Sequence, residues 1–433
     1  MNLRLYNAQI LTMEKDREIF SGEVWIRNDR IALVEEDGDL EVLREERALP
    51  HINWEVEIDC HGNLLMPGLK DAHTHSPMTF LRSFAEDKPT QDWLKEDVFP
   101  REEKLTEEDI YDFGKLAVME YVSGGITSIF DMYLMPRVMA QVAVDTGMRC
   151  VLVPGLNDFT SSIREMEREF RDLNRFHPLV SYKLGFHAEY TCSKELLYQI
   201  SSLAHGLRQP VYCHLSETKA EVESSLKRNG VAPLEFLDLM GMFAYGGGGF
   251  HCVHLNRGEM DILKFRKMGV ITNPASNLKL ASGIAPLAEF EKRGVPIAIG
   301  TDGAASNNAL DCFREMYLAA TLAKLRGEDP VSIPAGRILE YAICGGAKVM
   351  GLEETATLTR GNLADLILID LAAPNMQPSG QEVRNLVYSC GRSNVLMTVI
   401  GGKIVYRNGE YNIGDSPDRI LSRCKLRAKK LLS

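Results

Sequence analysis

The sequence of 433 residues predicts an α/β protein in which a closed, TIM-like (β/α)8 barrel is inserted into a small β-sandwich domain. Within residues 68–358, eight short apolar runs alternate with longer segments of helical spacing, as parallel strands joined by helices do. Outside this segment, both chain ends carry short strands of alternating polarity. We therefore expect residues 1–67 and 359–433 to form the two parts of the β-sandwich, with a helix at the C terminus, and residues 68–358 to form the barrel.

The terminal strands are marked by alternating apolar and polar residues. Around the Asn28-Asp29 turn, apolar residues two apart mark three strands: Leu3 and Leu5, Val24 and Ile26, Ile31 and Leu33. The acidic stretch 35–46 interrupts this pattern, so we expect a surface loop or edge there. The strand pattern returns only at residues 363–370 and 395–406, where Gly-Gly and Asn-Gly pairs supply turns, and the two chain ends should therefore pair.

The barrel strands are predicted from the apolar runs between these ends. The runs span residues 64–71, 126–131, 149–154, 180–187, 210–215, 250–254, 269–273 and 295–301. Helical spacing lies between them, for example at residues 107–122, 194–206, 217–228 and 308–325. A doubly wound open sheet is the alternative, but no Gly-x-Gly-x-x-Gly motif follows the first strand. The glycine run 246–249 precedes a strand rather than a helix, which does not fit a phosphate loop.

Composition and charge exclude several classes of protein. The net charge of −11 and the pI near 5.5 disfavour nucleic acid or an anionic membrane as partner, which leaves a small molecule as the expected substrate. Neither a signal core nor a run of about 18 apolar residues is present, so we expect a cytoplasmic protein. The nine cysteines include no Cys-x-x-Cys pair, which predicts free thiols and removes the His/Cys/Cys type of zinc deaminase.

Histidines gather where the predicted barrel strands end. Six of the ten histidines follow strands one, four, five and six, and Asp302 follows strand eight. The six are His73, His75, His187, His214, His251 and His254. In barrels of this type, the carboxyl ends of the strands carry the chemistry. Their convergence predicts a metal site there.

This set can hold one divalent metal ion. A catalytic zinc takes three protein ligands and keeps a position for water, and His73, His75 and His214 supply the three. Asp302 can coordinate as a fourth group and hold a proton. His251 can hydrogen bond the bound hydroxide, which forms at neutral pH because the metal lowers the pKa of water to about 7. Glu217, three residues after His214, suits a general acid/base. We expect zinc, with iron as the alternative.

Each of these residues also has a structural interpretation. His251 or His254 alone could be a hydrogen-bonded core histidine, Glu217 a carboxylate in the first turn of a helix, and Asp302 a turn cap. Lys183 lies inside a strand, so we do not expect a carbamylated lysine that bridges two metals. The other four histidines are interpreted as surface or structural residues: His51, His61, His177 and His205.

Five motifs resemble the amidohydrolase superfamily, and more closely its branch of aminopurine and triazine hydrolases, which includes S-adenosylhomocysteine and 5'-methylthioadenosine deaminases. They are Pro-Gly-Leu-x-Asp-x-His-Thr-His (67–75), His-Leu-Ser-Glu-Thr (214–218), His-Cys-Val-His-Leu (251–255), Asn-Pro-Ala-Ser-Asn-Leu-Lys-Leu (273–280) and Gly-Thr-Asp-Gly-Ala-Ala-Ser-Asn-Asn (300–308). They span most of the chain.

The resemblance implies a hydrolytic deamination of adenosine-type nucleosides. Hydroxide would attack the amidine-like ring carbon, Glu217 would protonate the adjacent ring nitrogen, and Asp302 would deliver a proton to departing ammonia. The resemblance also implies that His251 orients the hydroxide and that His187 contacts the substrate.

Residues 90–103 resemble the lid segment that follows strand one in this family. The resemblance implies that Trp93 stacks near the purine and that Glu102 binds ribose hydroxyls. Both residues also have plainer interpretations, as a packed aromatic and a solvated charge.

We expect the protein to be a homo-oligomer, a dimer or a tetramer.

Two departures from the family pattern concern the 5' substituent. Members that accept S-adenosylhomocysteine carry an arginine near the end of strand three, where this chain has Pro154, and the usual His-Ala-Pro-Tyr after strand four here contains Glu189. A lost bidentate partner and an added negative charge disfavour a carboxylate. We expect 5'-methylthioadenosine, 5'-deoxyadenosine or adenosine as substrates, unless Arg164 restores carboxylate binding and admits S-adenosylhomocysteine.

Two other functions stay open on the sequence alone. A deaminase or dechlorinase of guanine, pterin or triazine rings would use the same metal machinery, but Glu102 has a role only if the substrate bears a ribose. From another class, the fold could serve as a catalytically inactive scaffold, and the complete set of metal and catalytic residues argues against that.

Overall fold

A computed structural model describes residues 1–45, 52–84 and 86–432, whose strands form three sheets. The first part of the chain contributes β1 (Asn2–Ile10), β2 (Phe20–Arg27), β3 (Arg30–Glu36), β4 (Val56–Asp59) and β5 (Leu64–Pro67). The barrel strands are β6 (Leu69–Thr74), β7 (Ile126–Tyr133), β8 (Arg149–Pro154), β9 (Val180–Tyr182), β10 (Leu184–Ala188), β11 (Val211–Leu215), β12 (Gly247–His251), β13 (Met268–Thr272) and β14 (Ile297–Ile299). The last part contributes β15 (Leu366–Ile369), β16 (Val395–Ile400), β17 (Lys403–Arg407) and β18 (Glu410–Tyr411).

Helices follow most barrel strands and complete the α/β alternation. In chain order, the helices of the described residues are α1 (Asp37–Glu45), α2 (Thr90–Trp93), α3 (Phe99–Glu102), α4 (Glu107–Ser123), α5 (Pro136–Thr146), α6 (Ile163–Leu173), α7 (Lys194–Leu207), α8 (Lys219–Asn229), α9 (Pro233–Leu239), α10 (Arg257–Phe265), α11 (Pro274–Lys279), α12 (Leu287–Arg293), α13 (Ala304–Asn307), α14 (Cys312–Gly327), α15 (Ala335–Glu340), α16 (Gly346–Met350), α17 (Glu382–Tyr388) and α18 (Pro417–Leu431). Across the described ranges, every helix is too short or too polar to cross a lipid bilayer.

The predicted fold class is confirmed. Strands from both chain ends pair in one mixed sheet, in the order β18-β17-β16-β15-β5-β1-β2-β3 with β4 beside β1. The barrel strands run parallel in two sheets, β6-β7-β8-β9 and β10-β11-β12-β13-β14. Only Lys183 separates β9 from β10, and its N–H still donates to Leu152 O on β8, so the two pieces act as strand four. The domain limits 67/68 and 358/359 stay our proposal.

Hydrogen bonds between the first and last strands close the barrel. The Asp302 N–H donates to His73 O at 2.9 Å, and the Asp71 carboxylate accepts from both the backbone N–H and the hydroxyl of Thr301. Side chains from strands one, two, three, five, six, seven and eight meet inside as one buried apolar cluster: Ala72, Phe130, Met132, Val151, Val153, Tyr212, Phe250, Ile271 and Ala298. This layer is the floor beneath the strand ends.

The acidic stretch 35–46 was expected to form a surface loop or an edge, and of its described residues only the first two do so: Glu35 and Glu36 end β3, which lies at the edge of the terminal sheet. Residues Asp37–Glu45 form helix α1, and Glu46 lies outside the described residues. Leu40 is buried against Trp25 and Leu33 and so anchors the helix to the sheet. The high proportion of acidic residues gave no indication of this contact. Acidic side chains in the first turn, Asp37 and Asp39, also suit the positive end of the helix dipole.

Strand six begins and ends three residues earlier than the run 250–254 predicted. A Cβ on Gly247 would lie 1.9 Å from Val211 O, so the glycines belong to the strand and allow close pairing with β11. The strand ends at His251 because His251 and Cys252 both adopt positive φ angles, 70° and 49°. His254 therefore lies beyond the strand end.

A buried ion pair joins the barrel to the terminal sheet. Arg149 on β8 donates from Nε and Nη2 to the Asp365 carboxylate at 2.6 and 2.9 Å, and the Gly401 N–H donates to the same carboxylate. We expect Arg149→Met to lower the free energy of unfolding by about 3–5 kcal/mol, because it leaves a buried carboxylate without its cation. Denaturant unfolding measures this. The double variant Arg149→Met/Asp365→Leu should recover most of the loss, and equal losses in both variants would contradict the ion-pair explanation.

Candidate metal and catalytic site

Four buried donor residues meet at the carboxyl ends of the barrel strands. His73 on β6, His214 on β11, His251 at the end of β12 and Asp302 after β14 each offer a ligand atom, and these atoms lie within 4.8 Å of one another. The His73 ring stacks on Phe250 of the barrel floor, with ring centroids 3.8 Å apart. The arrangement can hold one metal ion.

Two of the imidazoles have the protonation that a metal requires. His214 donates from Nδ1 to His187 O at 2.8 Å, which leaves its Nε2 lone pair free. His75 donates from Nδ1 to Met132 O, which directs its Nε2 toward Asp302. Burial lowers the pKa of His73 and of His214 well below the usual value, which keeps both rings neutral. Within the described part of the chain, both ring nitrogens of His73 are buried without a hydrogen-bond partner, a costly arrangement in which a metal ion would supply a partner for one of them.

His75 stands next to this group of four. Its Nε2 lies 3.1 Å from Asp302 Oδ1, whereas the His73 Nε2 lies 3.7 Å from the same oxygen. Although burial lowers the pKa of His75, the Asp302 carboxylate raises it to about 9. The sequence assigned His73, His75, His214 and Asp302 to the metal and His251 to the hydroxide. The structure brings all five together, and their division into ligands and neighbours stays a proposal.

Two serines and a backbone N–H fix the Asp302 carboxylate. Its Oδ2 accepts from the hydroxyls of Ser276 and Ser306 at 2.6 and 2.9 Å, and its Oδ1 accepts from the Gly303 N–H. Burial alone would raise the pKa of Asp302, but the imidazoles of His75, His251 and His73 hold it well below its usual value. A Cβ on Gly303 would lie 2.9 Å from Met78 Sδ and 3.2 Å from the His75 Cβ, so Gly303 packs closely against the segment that follows β6.

Glu217 faces the same group from the end of strand five. Its Oε1 accepts from the Ser282 hydroxyl at 3.0 Å, and its Oε2 lies 4.0 Å from His251 Nε2. The buried Glu221 carboxylate accepts from the backbone N–H groups of Ser216 and Glu217 and so holds the turn that carries Glu217. Burial and the nearby Glu217 raise the pKa of Glu221 to about 7.

Sequence reasoning missed the residues that hold the predicted ones in place. Asn277 Oδ1 accepts from His251 Nδ1 at 2.7 Å, which leaves the His251 Nε2 free to face Glu217 and Asp302. Asn277, Ser276 and Ser306 lie within the motifs 273–280 and 300–308, which were the available signal. Ser282 and Glu221 lie outside every quoted motif. The role of Ser282 depends on a contact with Glu217, 65 residues away, whereas Glu221 acts locally, on the turn four to five residues before it.

A cavity of about 500 Å³ opens above these groups. Trp93, Glu102 and His187 all line it, as do His75, His214, Glu217, His251 and Asp302. His187 donates from Nδ1 to the Thr191 hydroxyl, and burial lowers its pKa to about 4, so a neutral Nε2 remains to accept a hydrogen bond. Burial raises the pKa of Glu102, although the hydrogen bond from Tyr133 and the charge of His75 lower it. The volume suits a nucleoside-sized ligand.

The expected role of Glu189 is wrong. Its carboxylate accepts from Arg228 at 2.5 Å and from Asn229 at 2.8 Å, and it is not part of the cavity lining. It therefore adds no unpaired charge to repel a substrate carboxylate. Pro154 does line the cavity. Arg164 is exposed and outside the lining, which gives no support to the idea that it restores carboxylate binding.

The histidines left outside the site have structural contacts or lie at the surface. His254 donates from Nε2 to Ser282 O, His205 donates to Gly241 O, and His177 Nδ1 accepts from the Leu179 N–H. His61 is exposed, and His51 lies outside the described residues.

All nine cysteines are free thiols, as predicted. The Lys183 amine lies beside Gly351, where an added Cβ would be 3.0 Å from its Nζ.

Comparison with known proteins identifies the family. Residues 64–405 match the amidohydrolase family model. The chain belongs to the amidohydrolase family. This amidohydrolase is 35% identical over 441 residues to a 5-methylthioadenosine/S-adenosylhomocysteine deaminase of Caldanaerobacter subterraneus subsp. tengcongensis, a match that covers 100% of this chain and 99% of the relative.

Two further matches concern related deaminases. This amidohydrolase is 36% identical over 386 residues to a 5'-deoxyadenosine deaminase of Methanopyrus kandleri, covering 87% of this chain and 90% of the relative. Its structure is similar to the crystal structure of an adenosine deaminase from Xanthomonas campestris with bound zinc, with a TM-score of 0.92 and 30% identity. That match covers 99% of this chain and 98% of the other.

Proposed function

We propose that this amidohydrolase is a metal-dependent deaminase that converts adenosine-type nucleosides to the inosine analogue and ammonia. The observation that carries the proposal is the buried donor group, with Glu217 beside it, at the bottom of a nucleoside-sized cavity. The names of the relatives support the reaction and point to 5'-methylthioadenosine, 5'-deoxyadenosine and adenosine as substrates, with S-adenosylhomocysteine, also in the name of the Caldanaerobacter subterraneus relative, as a further candidate.

The residues present fit one divalent metal ion. We assign His73, His75, His214 and Asp302 as its ligands, with zinc as the expected metal and iron as the alternative. When bound, the ion lowers the pKa of water to about 7 and so provides a nucleophile at neutral pH. The zinc bound in the Xanthomonas campestris adenosine deaminase supports this choice.

The protein groups then position the water and move protons. His251 presents an unprotonated Nε2 to the attacking water, because its Nδ1–H is held by Asn277. Glu217 takes one proton from the attacking water and passes it to the ring nitrogen next to the attacked carbon, which neutralises the charge that attack develops there. Asp302, held by Ser276 and Ser306, takes a proton from the water and passes it to the departing ammonia.

The substrate is held by residues of the lid segment and strand four. Thr90–Trp93, Leu94–Val98 and Phe99–Glu102 form one continuous helical stretch over the cavity. We assign Trp93 to the purine face, His187 Nε2 to a substrate hydrogen bond, and Glu102 to the ribose hydroxyls. A carboxylate can accept from both hydroxyls of a ribose.

We expect Glu102→Ala to lower kcat/KM for adenosine by about 10- to 100-fold, the effect of losing hydrogen bonds to a charged group. Activity on the free base adenine should change little, because adenine has no ribose. Steady-state assays with both compounds measure this. The control is Glu96→Ala, an exposed residue of the same helical stretch that does not line the cavity. Equal losses for nucleoside and base would contradict ribose binding by Glu102.

A homo-oligomeric state, either a dimer or a tetramer, and a cytoplasmic location also belong to this proposal. Light scattering on the purified protein measures the first, and fractionation of cells measures the second.

A further inference from the structure

The cavity is lined by acidic side chains, and its only basic side chains within the described residues are the histidines of the metal and substrate site. Six carboxylates contribute to it, and no lysine or arginine of the described residues does: Glu102, Glu103, Glu165, Glu169, Glu217 and Asp302. Glu217 and Asp302 have catalytic roles above, and Glu102 is assigned to the ribose. Glu165 and Glu169, on helix α6, have no role in the reaction.

Glu169 is a buried carboxylate without an ion pair. It is 7% exposed, its Oε2 accepts from the Tyr182 hydroxyl at 3.0 Å, and its Oε1 has no donor among the described residues. Burial raises the pKa of Glu169 and the negative charge of Glu165 raises it further, although the Tyr182 hydroxyl and the charges of Arg137 and Arg168 lower it. Burying an unpaired charge is costly, so a positive group from a ligand would stabilise this arrangement.

Glu165 lies one helical turn before Glu169 and lines the same cavity. Its carboxylate accepts from the Ser161 hydroxyl at 3.1 Å and pairs with the exposed Arg168 at 3.2 Å. Arg168 lies outside the lining, so the cavity side of this pair remains acidic. Two carboxylates therefore face one part of the cavity.

Glu165 and Glu169 form one side of the cavity, which we call the α6 wall. Its position relative to the reacting groups indicates which part of a substrate it contacts. Pro154 at the end of β8 pairs in register with Tyr133 of β7, which neighbours Glu102. Beyond Pro154, the lining continues through uncharged residues, both apolar and polar, to α6: Gly155, Leu156, Asn157, Phe159, Thr160 and Ser161. A nucleoside with its ring at Glu217 and its ribose at Glu102 would direct its 5' arm along this path.

We propose that the α6 wall is the specificity site for the 5' substituent, and that Glu165 and Glu169 select a tail that ends in a positively charged amine over one that ends in a carboxylate or phosphate. This inference rests on the proposed function. The ligand class is a 5'-alkylthio-5'-deoxyadenosine whose tail carries a terminal ammonium. The uncharged path accepts the alkylthio chain, with Leu156 and Phe159 as its apolar side chains, and Glu169 Oε1 accepts from the ammonium in a charge-assisted hydrogen bond.

The test uses three 5'-alkylthio-5'-deoxyadenosines of equal tail length that end in methyl, ammonium or carboxylate. With the metal-loaded wild-type enzyme, kcat/KM should be highest for the ammonium tail and lowest for the carboxylate tail. Each terminal charge should change it by about tenfold or more relative to the methyl tail, the effect expected of one hydrogen bond to a charged group. Equal values for the three tails would overturn the inference.

The deciding variant is Glu169→Gln, which keeps an oxygen to accept from Tyr182 but removes the charge. We expect it to lower kcat/KM for the ammonium tail by about tenfold, mainly through KM, and to raise it for the carboxylate tail, while the methyl tail stays within about twofold. The control is Glu167→Gln on the same helix, where Glu167 pairs with Arg171 outside the lining and neutralisation should change none of the three values.

The outcomes separate the inference from the proposed function. Turnover of the methyl tail together with an ammonium preference that Glu169→Gln removes supports both. Turnover of the methyl tail with equal losses for all three tails in Glu169→Gln would mean that Glu169 only supports α6, which overturns the inference alone. No deamination of any of the three compounds by the wild-type enzyme overturns both.

Discussion

Replacing Glu217 by glutamine is expected to lower kcat/KM for 5'-methylthioadenosine by about a thousandfold, within the range of a lost general acid/base, while the metal stays bound. Glutamine keeps the size of the side chain and can still accept from Ser282, but it cannot give a proton to the ring nitrogen. The loss of absorbance near the adenine band follows turnover. Elemental analysis of the same sample measures the metal.

The matched control is Glu223→Gln, an exposed carboxylate on α8, the helix that follows Glu217. It removes one negative charge from the same region and should leave both turnover and metal content unchanged. Full activity of Glu217→Gln would place the general acid/base elsewhere. Loss of the metal in Glu217→Gln would instead show that Glu217 acts through the metal site.

The sequence was sufficient for the fold because strand and helix leave periodic patterns. The barrel strands lie close to the predicted runs, and pairing of the chain ends follows from two separate sets of alternating residues. Helix α1 was missed because one buried residue, Leu40, anchors a segment whose composition is mostly acidic. The start of strand six was missed because its glycines have no side chain to mark a pattern, and only close pairing with β11 explains them.

The residues that touch one another across the site could be predicted only in part. Histidines at strand ends are visible in the sequence because the barrel brings all strand ends together. Glu189 also follows a strand end, yet its carboxylate turns away to Arg228 and Asn229. Glu169 lies 15 residues after Pro154, and only the packing of α6 brings it to the cavity. Orientation and packing between distant segments have no local signal in the chain.

His73→Ala is expected to remove the metal and, with it, measurable turnover. His73 is fully buried, and its two ring nitrogens lack any hydrogen-bond partner in the described part of the chain, so the ring depends on a metal for a partner. Loss of a group that only orients a metal ligand already costs about 10- to 100-fold in metal affinity or activity, and loss of a ligand itself should exceed that.

The decisive measurement for His73→Ala is the change in melting temperature on chelation. A metal that binds the folded state stabilises it, so a chelator should lower the melting temperature of the wild-type enzyme and leave that of His73→Ala unchanged. The control is His254→Ala. His254 is another histidine near the ends of the barrel strands, after β12, but it donates to Ser282 O and should not be needed to retain the metal. If His73→Ala keeps a full complement of metal, the ligand set proposed from β6, β11 and Asp302 is wrong. If His254→Ala loses the metal as well, metal binding depends on the contact between His254 and Ser282 and not on the ligands alone.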